Sequence, residues 1–519
     1  MPTPSPMSIA REAGWYFAVA TCIKLLLIPA YRSTDFEVHR HWLAITHSLP
    51  LSLWYSDETS QWTLDYPPFF AFFERFLSFF AAIIDPTIVD LNLGLNYSAP
   101  SVVYFQRLTV IIADLILFLG ISRIARNVFP STRRALILVA VLWSPALLIV
   151  DHVHFQYNGF LLGILMISLS FLEDGNRDLL GGFFFAVLIC FKHLFMVAGP
   201  VYFVYLLRHY CWLGNGRFGG FLRRLILMGA VVVSVFLVAF GPFLYHGQMQ
   251  QVLHRLFPFG RGLCHAYWAP NFWVFYIIAD KFIAFMLRKL GFSIQAPAAS
   301  FTGGLVGDSP FSVLPQVTPL TTFCMVMLAI LPCLVKAWKS PQPKHITRWV
   351  AYAYTCGFMF GWHVHEKASL HFVIPLAIIA TSHLEDASHY FLLSTVSCYS
   401  LFPLLYEARE YPVKVLLLLT HAAILWSGFS QHFSMISASE DGKDKKRSSV
   451  SLQGTKLFGW PTKIYLSGLL AIEIWGQFLH PYIFGDKMPF LPLLLVSIYC
   501  AFGMLYSWFF QLNRIIRCS

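Results

Sequence analysis

Residues 33–68 read STDFEVHRHWLAITHSLPLSLWYSDETSQWTLDYPP and follow the first hydrophobic segment of the chain. The stretch concentrates acids, histidines and aromatics, whereas most of the remaining sequence is apolar. Its first part is amphipathic, and we expect side chains such as Phe36 and Trp42 to hold it at a membrane surface. Asp35 stands at the start of this part, so it is the first candidate for a catalytic residue acting on a substrate held at the membrane.

The composition of the whole chain excludes an ordinary soluble protein. Of its 519 residues, 57% are hydrophobic and 12% are charged, whereas soluble domains carry about 25% charged residues. The net charge of +11 does not indicate nucleic-acid binding, because the basic residues gather in short loops, as the positive-inside rule predicts for the cytosolic face. The predicted fold class is therefore an all-α, polytopic transmembrane protein in the lipid bilayer, forming one membrane-embedded domain over residues 1–519.

A membrane-spanning helix needs about 20 apolar residues, and about 14 segments approach that length when their boundaries are drawn loosely. These candidate spans lie near residues 14–30, 103–122, 134–150, 159–172, 179–195, 196–208, 225–246, 320–338, 349–362, 370–383, 389–406, 412–427, 464–482 and 488–510.

The charge of the connections predicts which side of the membrane each one occupies. Residues 118–135, 208–224 and 336–348 contain basic residues and no acid. We assign these three connections to the cytosol, together with the Ser/Lys-rich linker 428–463.

The long loops 31–101 and 247–319 then fall on the opposite, lumenal face. This scheme requires that residues 269–290, which carry several ionisable side chains, form an interfacial or re-entrant helix. The sequon Asn96-Tyr97-Ser98 lies in the first of these loops, so Asn96 is expected to carry a glycan.

Five groups of polar residues converge on the lumenal side, which is a stronger indication than any one motif. They are Asp35 to His41 with Asp65, Asp151 to Asn158, Lys192 with His193, Arg255 to Trp268, and His363 to Lys367.

Two of the acids in these groups also have structural explanations. Asp35 precedes an apolar-periodic stretch and is suited to cap a helix. Asp65 precedes Tyr-Pro-Pro, where aspartate often hydrogen-bonds its own backbone in a turn.

Asp114 lies nearer the interior of a span, where an ionisable group needs a partner, and Arg107 is the partner we expect.

A metal site is disfavoured by the spacing of the candidate ligands. Asp151, His152 and His154 do not have the two-histidine spacing of a zinc-binding helix. The ten cysteines also lack a metal-binding pattern, and most of them lie inside hydrophobic segments.

Six motifs occur in a fixed order along the chain. They are Asp35-Phe36-Glu37-Val38-His39-Arg40, Leu64-Asp65-Tyr66-Pro67-Pro68, Asp151-His152-Val153-His154-Phe155-Gln156-Tyr157-Asn158-Gly159, Phe257-Pro258-Phe259-x-Arg261-Gly262-Leu263, Asn271-Phe272-Trp273 and His363-Val364-His365-Glu366-Lys367. Over residues 14 to about 510, the chain resembles the endoplasmic reticulum dolichyl-phosphate-glucose glucosyltransferases of asparagine-linked glycosylation. These are multi-pass membrane glycosyltransferases of the GT-C class.

The resemblance implies a dolichyl-phosphate β-glucose donor, a dolichol-diphosphate-linked oligosaccharide acceptor, a lumenal active site, and neither metal nor cofactor. Within the family, one relative adds the first glucose to the nine-mannose oligosaccharide and another adds the second. The sequence Arg-Gly-Leu-Cys-His-Ala-Tyr-Trp from residue 261 resembles the second relative. That relative extends the terminal glucose of Glc1Man9GlcNAc2 in an α-1,3 linkage, and addition of the first glucose is the alternative.

The implied reaction inverts the anomeric centre, so a single displacement with one general base is sufficient. The resemblance places this base at Asp35. The leaving group is a phosphate, which departs without the general acid that inverting hydrolysis needs. Its negative charge must instead be stabilised by positive charge or by hydrogen-bond donors. The candidates for binding that phosphate are His365, Lys367, Arg261 and Lys192. Further candidates for contact with substrate are Glu37, Asp65 and His154.

A transporter is the alternative of another class, since it would also have many spans and scattered charges. Transporters usually place their polar groups near mid-span, in broken helices or repeats. Here the polar groups lie at one set of span ends and in two long loops, which favours an enzyme with a lumenal cavity.

Overall fold

The computed structural model describes residues 6–128, 130–212, 218–264, 269–294, 311–441, 457–485 and 487–517. Within these ranges the protein consists of α-helices with short 3₁₀ and π segments, and the extended pairing found there is an isolated bridge between Cys264 and Val364. The predicted all-α fold class is confirmed. The chain divides into two compact units, which are described separately.

The first unit comprises Met1–Pro258, Leu334–Val350 and Glu407–Tyr411. Its helices are α1 (Pro6–Leu26), α2 (Thr34–Ser48), α3 (Pro68–Ile84), α4 (Pro100–Ala113), α5 (Leu115–Arg126), α6 (Ser131–Leu142), α7 (Pro145–Leu147), α8 (Asn158–Glu173), α9 (Asp178–Phe191), α10 (Gly199–Leu206), α11 (Phe218–Tyr245) and α12 (Met249–Leu256). A π-helical segment, Leu148–Phe155, continues from α7.

The second unit comprises Phe259–Cys333, Ala351–Tyr406 and Pro412–Ser519. The remaining helices, which have most of their residues in this unit, are α13 (Phe272–Lys289), α14 (Pro319–Lys339), α15 (Ile346–Phe360), α16 (Leu370–Ile379), α17 (Leu384–Ser400), α18 (Tyr411–Asp441), α19 (Trp460–Ile474), α20 (His480–Phe484) and α21 (Leu491–Arg517).

In the first unit, α5 packs along α8 through two glycines. A Cβ atom added to Gly120 would lie 2.6 Å from the carbonyl oxygen of Gly163. A Cβ atom added to Gly163 would lie 2.4 Å from the carbonyl carbon of Ile116. Glycine lets the two backbones approach closely, as small residues do between membrane helices.

Seven helical stretches of the described residues are long and apolar enough to cross a membrane. They are Pro100–Arg126, Ser131–Phe155, His193–Cys211, Phe218–Tyr245, Pro319–Lys339, Ala408–Ile436 and Leu491–Arg517. Helices α8 and α9 are apolar but shorter. Each segment predicted from sequence overlaps a helix, and the segments outside the seven correspond to shorter or more polar helices, such as α1 and α15.

The amphipathic helices predicted for the loop 31–101 are α2 and α3. Phe36, Trp42 and Ile45 of α2 are buried and belong to one apolar cluster with Phe70 of α3. The expectation that Phe36 and Trp42 hold α2 at the membrane surface is therefore wrong. Protein covers both side chains, because Phe36 packs against Phe155 and Trp42 packs against Phe70 of α3.

A polar contact reinforces the packing of α2 on α3. His39 Nδ1 lies 2.8 Å from Glu74 Oε1, and both side chains are buried. Burial raises the pKa of Glu74, while its hydrogen bond with His39 works in the opposite direction. A buried, hydrogen-bonded pair of this kind limits how far the two helices can slide past each other.

Candidate active site around Asp35

Asp35 lies in the first turn of α2. The N-cap residue of this helix is Ser33, whose backbone is extended and whose hydroxyl donates to the backbone carbonyl of His154. Asp35 is therefore not the N-cap residue, contrary to the structural alternative considered above. A carboxylate in the first turn is nevertheless favoured by the helix dipole, so the helix tolerates Asp35 without depending on it.

The π-helical segment Leu148–Phe155 supplies the second part of the site. Phe155 has a φ of 85°, in the left-handed region that residues other than glycine rarely adopt. Gln156 follows in extended backbone, and α8 begins two residues later. Such breaks and strained residues are frequent at functional sites. Here the break places His154 and Gln156 next to Asp35.

Asp35 contacts two side chains from this break. Its Oδ2 atom accepts a 2.7 Å hydrogen bond from Gln156 Nε2 and lies 3.3 Å from His154 Nε2. His154 Nδ1 in turn lies 2.9 Å from the hydroxyl of Tyr31. The Asp35 side chain is 22% exposed, so an incoming hydroxyl can reach a carboxylate whose orientation is already fixed.

A network of amides continues from Gln156 into the protein. Asn158 Nδ2 donates to Gln156 Oε1 at 2.8 Å and to Asp151 Oδ1 at 2.9 Å. Asn158 Oδ1 accepts from Lys192 Nζ at 3.2 Å. The Lys192 ammonium is buried, and it is connected to Asp35 through two neutral amides.

The pKa of Tyr66 shows that this side chain lies close to Asp35 and to two other carboxylates. Burial raises the pKa of Tyr66 well above its usual value, and Asp65, Asp35 and Asp151 each raise it further. The ammonium of Lys192 lies 5.2 Å from the centre of the Tyr66 ring. Two residues predicted from sequence, Asp65 and Lys192, are therefore neighbours of the Asp35 site.

Glu37, another predicted residue, is engaged with Arg40. Its Oε1 atom accepts from Arg40 Nη2 at 2.6 Å and from Arg40 Nε at 3.1 Å. The buried guanidinium also donates to the carbonyl of Asp90 at 3.0 Å. Glu37 thus neutralises Arg40, whose guanidinium holds the loop after α3. Contact of Glu37 with substrate stays a prediction.

The predicted pair of Asp114 with Arg107 is wrong. Asp114 Oδ2 lies 2.6 Å from Lys24 Nζ and 2.8 Å from His152 Nε2. Arg107 instead donates to the backbone carbonyls of His152, Val153 and Tyr31. The π-helical segment ends just after these positions, so its last carbonyls lack helical partners and bind the guanidinium.

The polar side chains of the Asp151-His152-Val153-His154 motif have different partners. Asp151 accepts from Asn158, His152 contacts Asp114, and His154 contacts Asp35. Among the described residues, no three His, Cys, Asp or Glu side chains are grouped to hold a metal ion.

The second unit brings together two motifs that are about 100 residues apart in sequence. Cys264 pairs with Val364 in the isolated bridge, and the backbone N–H of His363 donates to the carbonyl of Leu263 at 2.9 Å. The Nδ1 atom of His363 lies 3.0 Å from the carbonyl oxygen of Gly262. The Arg-Gly-Leu motif is therefore fixed against the Trp-His-Val-His motif.

Three of the four residues predicted to bind phosphate, Arg261, His365 and Lys367, belong to the motifs that meet at this bridge. Burial lowers the pKa of His363, and the charge of Arg261 lowers it further, which places Arg261 near His363. The rings of His363 and His365 are 5.4 Å apart. Lys367 follows in the 3₁₀ segment Glu366–Ser369. His265 and Trp268, noted in the sequence, lie outside the described residues.

Comparison with known proteins accounts for this arrangement. The model of the "ALG6, ALG8 glycosyltransferase family" matches residues 20–511, nearly the whole chain. The chain belongs to this family. Membership decides between the two classes left open by the sequence: the protein is a glycosyltransferase in a membrane rather than a transporter.

Relatives within the ALG6, ALG8 family match along almost their full length. The chain is 66% identical over 503 residues to the "Dolichyl pyrophosphate Glc1Man9GlcNAc2 alpha-1,3-glucosyltransferase" of Arabidopsis thaliana, covering 97% of each chain. The protein with the same name from Bos taurus is 42% identical, with 96% of this chain and 94% of the relative covered. The one from Schizosaccharomyces pombe is 41% identical, with 94% and 95% covered.

Sequence reasoning identified the motifs of this family but missed Gln156, which contacts Asp35, and two residues that contact its partners, Asn158 and Tyr31. Gln156 and Asn158 lie in a quoted motif, yet neutral amides were not counted as candidates because they carry no charge. Tyr31 was missed because it lies at the end of the first hydrophobic segment, where a tyrosine is common. The one available indication was the run of polar residues from 151 to 158.

Proposed function

We propose that this protein transfers glucose from dolichyl-phosphate β-glucose to the terminal glucose of Glc1Man9GlcNAc2-diphosphate-dolichol, forming an α-1,3 linkage. The reaction takes place on the lumenal side of the endoplasmic reticulum membrane and adds the second glucose of the oligosaccharide. The names of relatives from a plant, a mammal and a fungus support the acceptor and the linkage. The donor is inferred from the motif resemblance and from the chemistry of the site.

The observation that carries the proposal is the geometry around Asp35. An α-glucoside formed from a β-linked donor requires inversion, and therefore one base that accepts the proton of the attacking hydroxyl. Asp35 is partly exposed and is oriented by Gln156 and His154 on one oxygen. The Gln156 amide is a neutral donor, so it orients the carboxylate without cancelling its charge. This environment suits a general base.

The departing dolichyl phosphate needs positive charge, because negative charge accumulates on it as the glucosyl bond breaks. Arg261, His365 and Lys367 supply such charge in the second unit, where the Cys264–Val364 bridge holds their motifs together. Lys192 supplies an ammonium in the first unit, connected to Asp35 through amides. Arg261, His365 and Lys367 stay candidates for binding the donor phosphate, as does Lys192, which is linked to Asp35 through two amides.

The lumenal position of the site is part of the proposal. It follows from the basic connections assigned to the cytosol and from the sequon at Asn96 in the loop that also contains Asp35. Asn96 is exposed and has a φ of 57°, a conformation that asparagine adopts more readily than most residues. An exposed asparagine at a turn is accessible for glycan attachment.

A reconstituted reaction tests the proposal. Purified protein in lipid nanodiscs would be given dolichyl-phosphate-glucose with either Glc1Man9GlcNAc2- or Man9GlcNAc2-diphosphate-dolichol, and the products would be analysed by mass spectrometry. We expect one hexose added to the first acceptor, in an α-1,3 linkage. Preferential extension of Man9GlcNAc2 would show that the protein adds the first glucose instead. Efficient transfer from a nucleotide sugar without the lipid donor would contradict the proposed donor class.

A further inference from the structure

We infer that Gln156 is a positioning residue for the reaction: its side-chain amide, held by Asn158, orients the Asp35 carboxylate and keeps it ionised. This inference rests on the proposed role of Asp35 as the general base. The juxtaposition that carries it is the hydrogen-bonded chain from Lys192 through Asn158 and Gln156 to Asp35.

The direction of every hydrogen bond in this chain follows from its buried end. The ammonium of Lys192 can only donate, so the atom of Asn158 that it contacts at 3.2 Å must be the carbonyl oxygen. The amide nitrogen of Asn158 therefore faces Gln156 and Asp151, at 2.8 Å and 2.9 Å. A carboxylate oxygen of Asp151 accepts this bond, which agrees with the assignment.

The orientation of Gln156 is then fixed as well. Its Oε1 atom must accept from Asn158, so its Nε2 atom must face Asp35, 2.7 Å from Oδ2. An amide nitrogen donates a stronger hydrogen bond to a carboxylate than to the carbonyl oxygen of a neutral carboxylic acid. Gln156 therefore favours the ionised form of Asp35, which is the form that can accept a proton.

The backbone supports the same role. Gln156 lies between the strained residue Phe155 and the first turn of α8, where the chain has left one helix and not yet entered the next. The amide N–H of Gly159 at the start of α8 donates to Asp151 at 2.6 Å. Asp151 is thus held by backbone as well as by side chain, and it accepts from the same Asn158 amide that donates to Gln156.

The substitution Gln156→Glu tests the inference most sharply. It retains the size of the side chain but places a second carboxylate against Asp35, and two adjacent carboxylates share a proton, so that the higher of the two coupled pKa values rises. The base then becomes available only at higher pH. We expect the acid limb of the pH–rate profile to move upward by about one pH unit or more, with activity recovering as the pH increases.

The other titratable groups around the Asp35 site are the same in both proteins, so the pH–rate profiles of the variant and the unmodified protein are compared directly. These groups are His154, Tyr31, Tyr66, Asp65, Asp151 and Lys192. An acid limb at the same pH in Gln156→Glu and in the unmodified protein would overturn the inference, even if the rate were lower throughout.

A second variant keeps the test decisive if Gln156→Glu is poorly folded. Gln156→Met retains the length of the side chain but removes the donor, and we expect a lower kcat with an unchanged KM for the donor lipid. The matched control is Gln106→Met, because Gln106 is also buried and donates to the carbonyl of Phe36 at 3.1 Å, the residue after Asp35. We expect this control to lose thermal stability while retaining kcat.

The failure of this inference can be distinguished from failure of the proposed function. If Asp35→Asn is inactive and Gln156→Met has a normal kcat, then Asp35 is the base but Gln156 does not position it. If Asp35→Asn is fully active, the proposed base itself is wrong. Equal losses of kcat in Gln156→Met and Gln106→Met would assign both glutamines to structure and overturn the inference.

Discussion

Asp35 and Asp114 lie in the same unit, and each contacts a histidine from the same π-helical segment. His154 lies 3.3 Å from Asp35, and His152 lies 2.8 Å from Asp114. The other partner described for each aspartate differs. Asp114 contacts the ammonium of Lys24 at 2.6 Å, and both of these side chains are 1% exposed, whereas Asp35 contacts a neutral amide and is 22% exposed.

The difference shows that partner and access, rather than residue type, decide what a carboxylate does. An aspartate neutralised directly by a buried ammonium can neither meet a substrate nor accept its proton without breaking an ion pair. The ammonium of Lys192 is linked to Asp35 through the side-chain amides of Asn158 and Gln156. We therefore expect substitution of Asp35 to lower turnover and substitution of Asp114 to lower thermal stability.

The largest expected effect is the loss of activity in Asp35→Asn. Asparagine retains the size of the side chain and can still accept a hydrogen bond from Gln156, but it cannot take the proton of the acceptor hydroxyl. We expect turnover to fall by roughly 10²–10⁴-fold, the usual contribution of a general base, with donor-lipid binding and thermal stability retained. Glucose transfer at a near wild-type rate would contradict the assignment, and Glu37 and Asp65 would be examined next.

The matched substitution Asp114→Asn sharpens this comparison. It makes the same chemical change at the buried aspartate, where it removes the charge that balances Lys24. We expect a lower thermal midpoint and a turnover per folded molecule close to that of the unmodified protein. A loss of turnover as large as that of Asp35→Asn in a stable protein would show that the two sites are not functionally separate.

A second prediction concerns the stability carried by the buried ion pair. Lys24→Met leaves the Asp114 carboxylate without its ammonium, and breaking a buried pair from one side costs about 3–5 kcal/mol. We expect a clear fall in the thermal midpoint of the detergent-solubilised protein. The double variant Lys24→Met/Asp114→Asn should recover part of that loss, because no unpaired charge remains. If the losses of thermal stability in the two single variants simply add in the double variant, this would contradict direct pairing of Lys24 with Asp114.

The third prediction extends the comparison to the second unit, where the proposed functional groups are cations rather than carboxylates. Removal of a hydrogen bond to a charged group costs about 1.5–3 kcal/mol, so we expect His365→Ala and Lys367→Ala to weaken transition-state binding by roughly 10–100-fold. The alternative is that Lys367 pairs with the adjacent Glu366. In that case Lys367→Ala would lower the thermal midpoint and leave the kinetics for dolichyl-phosphate-glucose unchanged.

Much of the fold was predictable because hydrophobic length is a local property of the sequence. The segments near 225–246 and 320–338 correspond to the spanning helices Phe218–Tyr245 and Pro319–Lys339. The position of α2 was less predictable, because a sequence shows that Phe36 and Trp42 are apolar without showing whether lipid or α3 covers them. Here Phe70 of α3 packs against Trp42, and Phe155 of the π-helical segment packs against Phe36.

The sequence singled out Asp35 and His154, which the structure places in contact, whereas contacts made by neutral groups or backbone were not foreseen; the roles of these residues stay predictions. Asp35 and His154 were identified from their chemical type. Gln156 was missed, since its role depends on a strained Phe155 that periodicity does not reveal. The partner of Asp114 was predicted incorrectly, because the carbonyls released at the end of a π-helical segment compete for Arg107. A local sequence pattern does not show which side chains pair across long sequence separations.

The smallest expected effect tests the side of the membrane on which Asp35 lies. Asn96 is in the same loop as Asp35, is exposed, and begins the Asn-Tyr-Ser sequon. Because oligosaccharyl transfer takes place in the lumen, Asn96→Gln should abolish one endoglycosidase-sensitive shift in electrophoretic mobility while leaving turnover close to that of the unmodified protein. The adjacent Tyr97 hydroxyl donates to Asp85 at 2.7 Å, so the turn should remain folded in this variant. A mobility shift that persists in Asn96→Gln would place the glycan elsewhere. A glycan attached only to a sequon engineered into 336–348 would reverse the proposed orientation and move Asp35 to the cytosolic face.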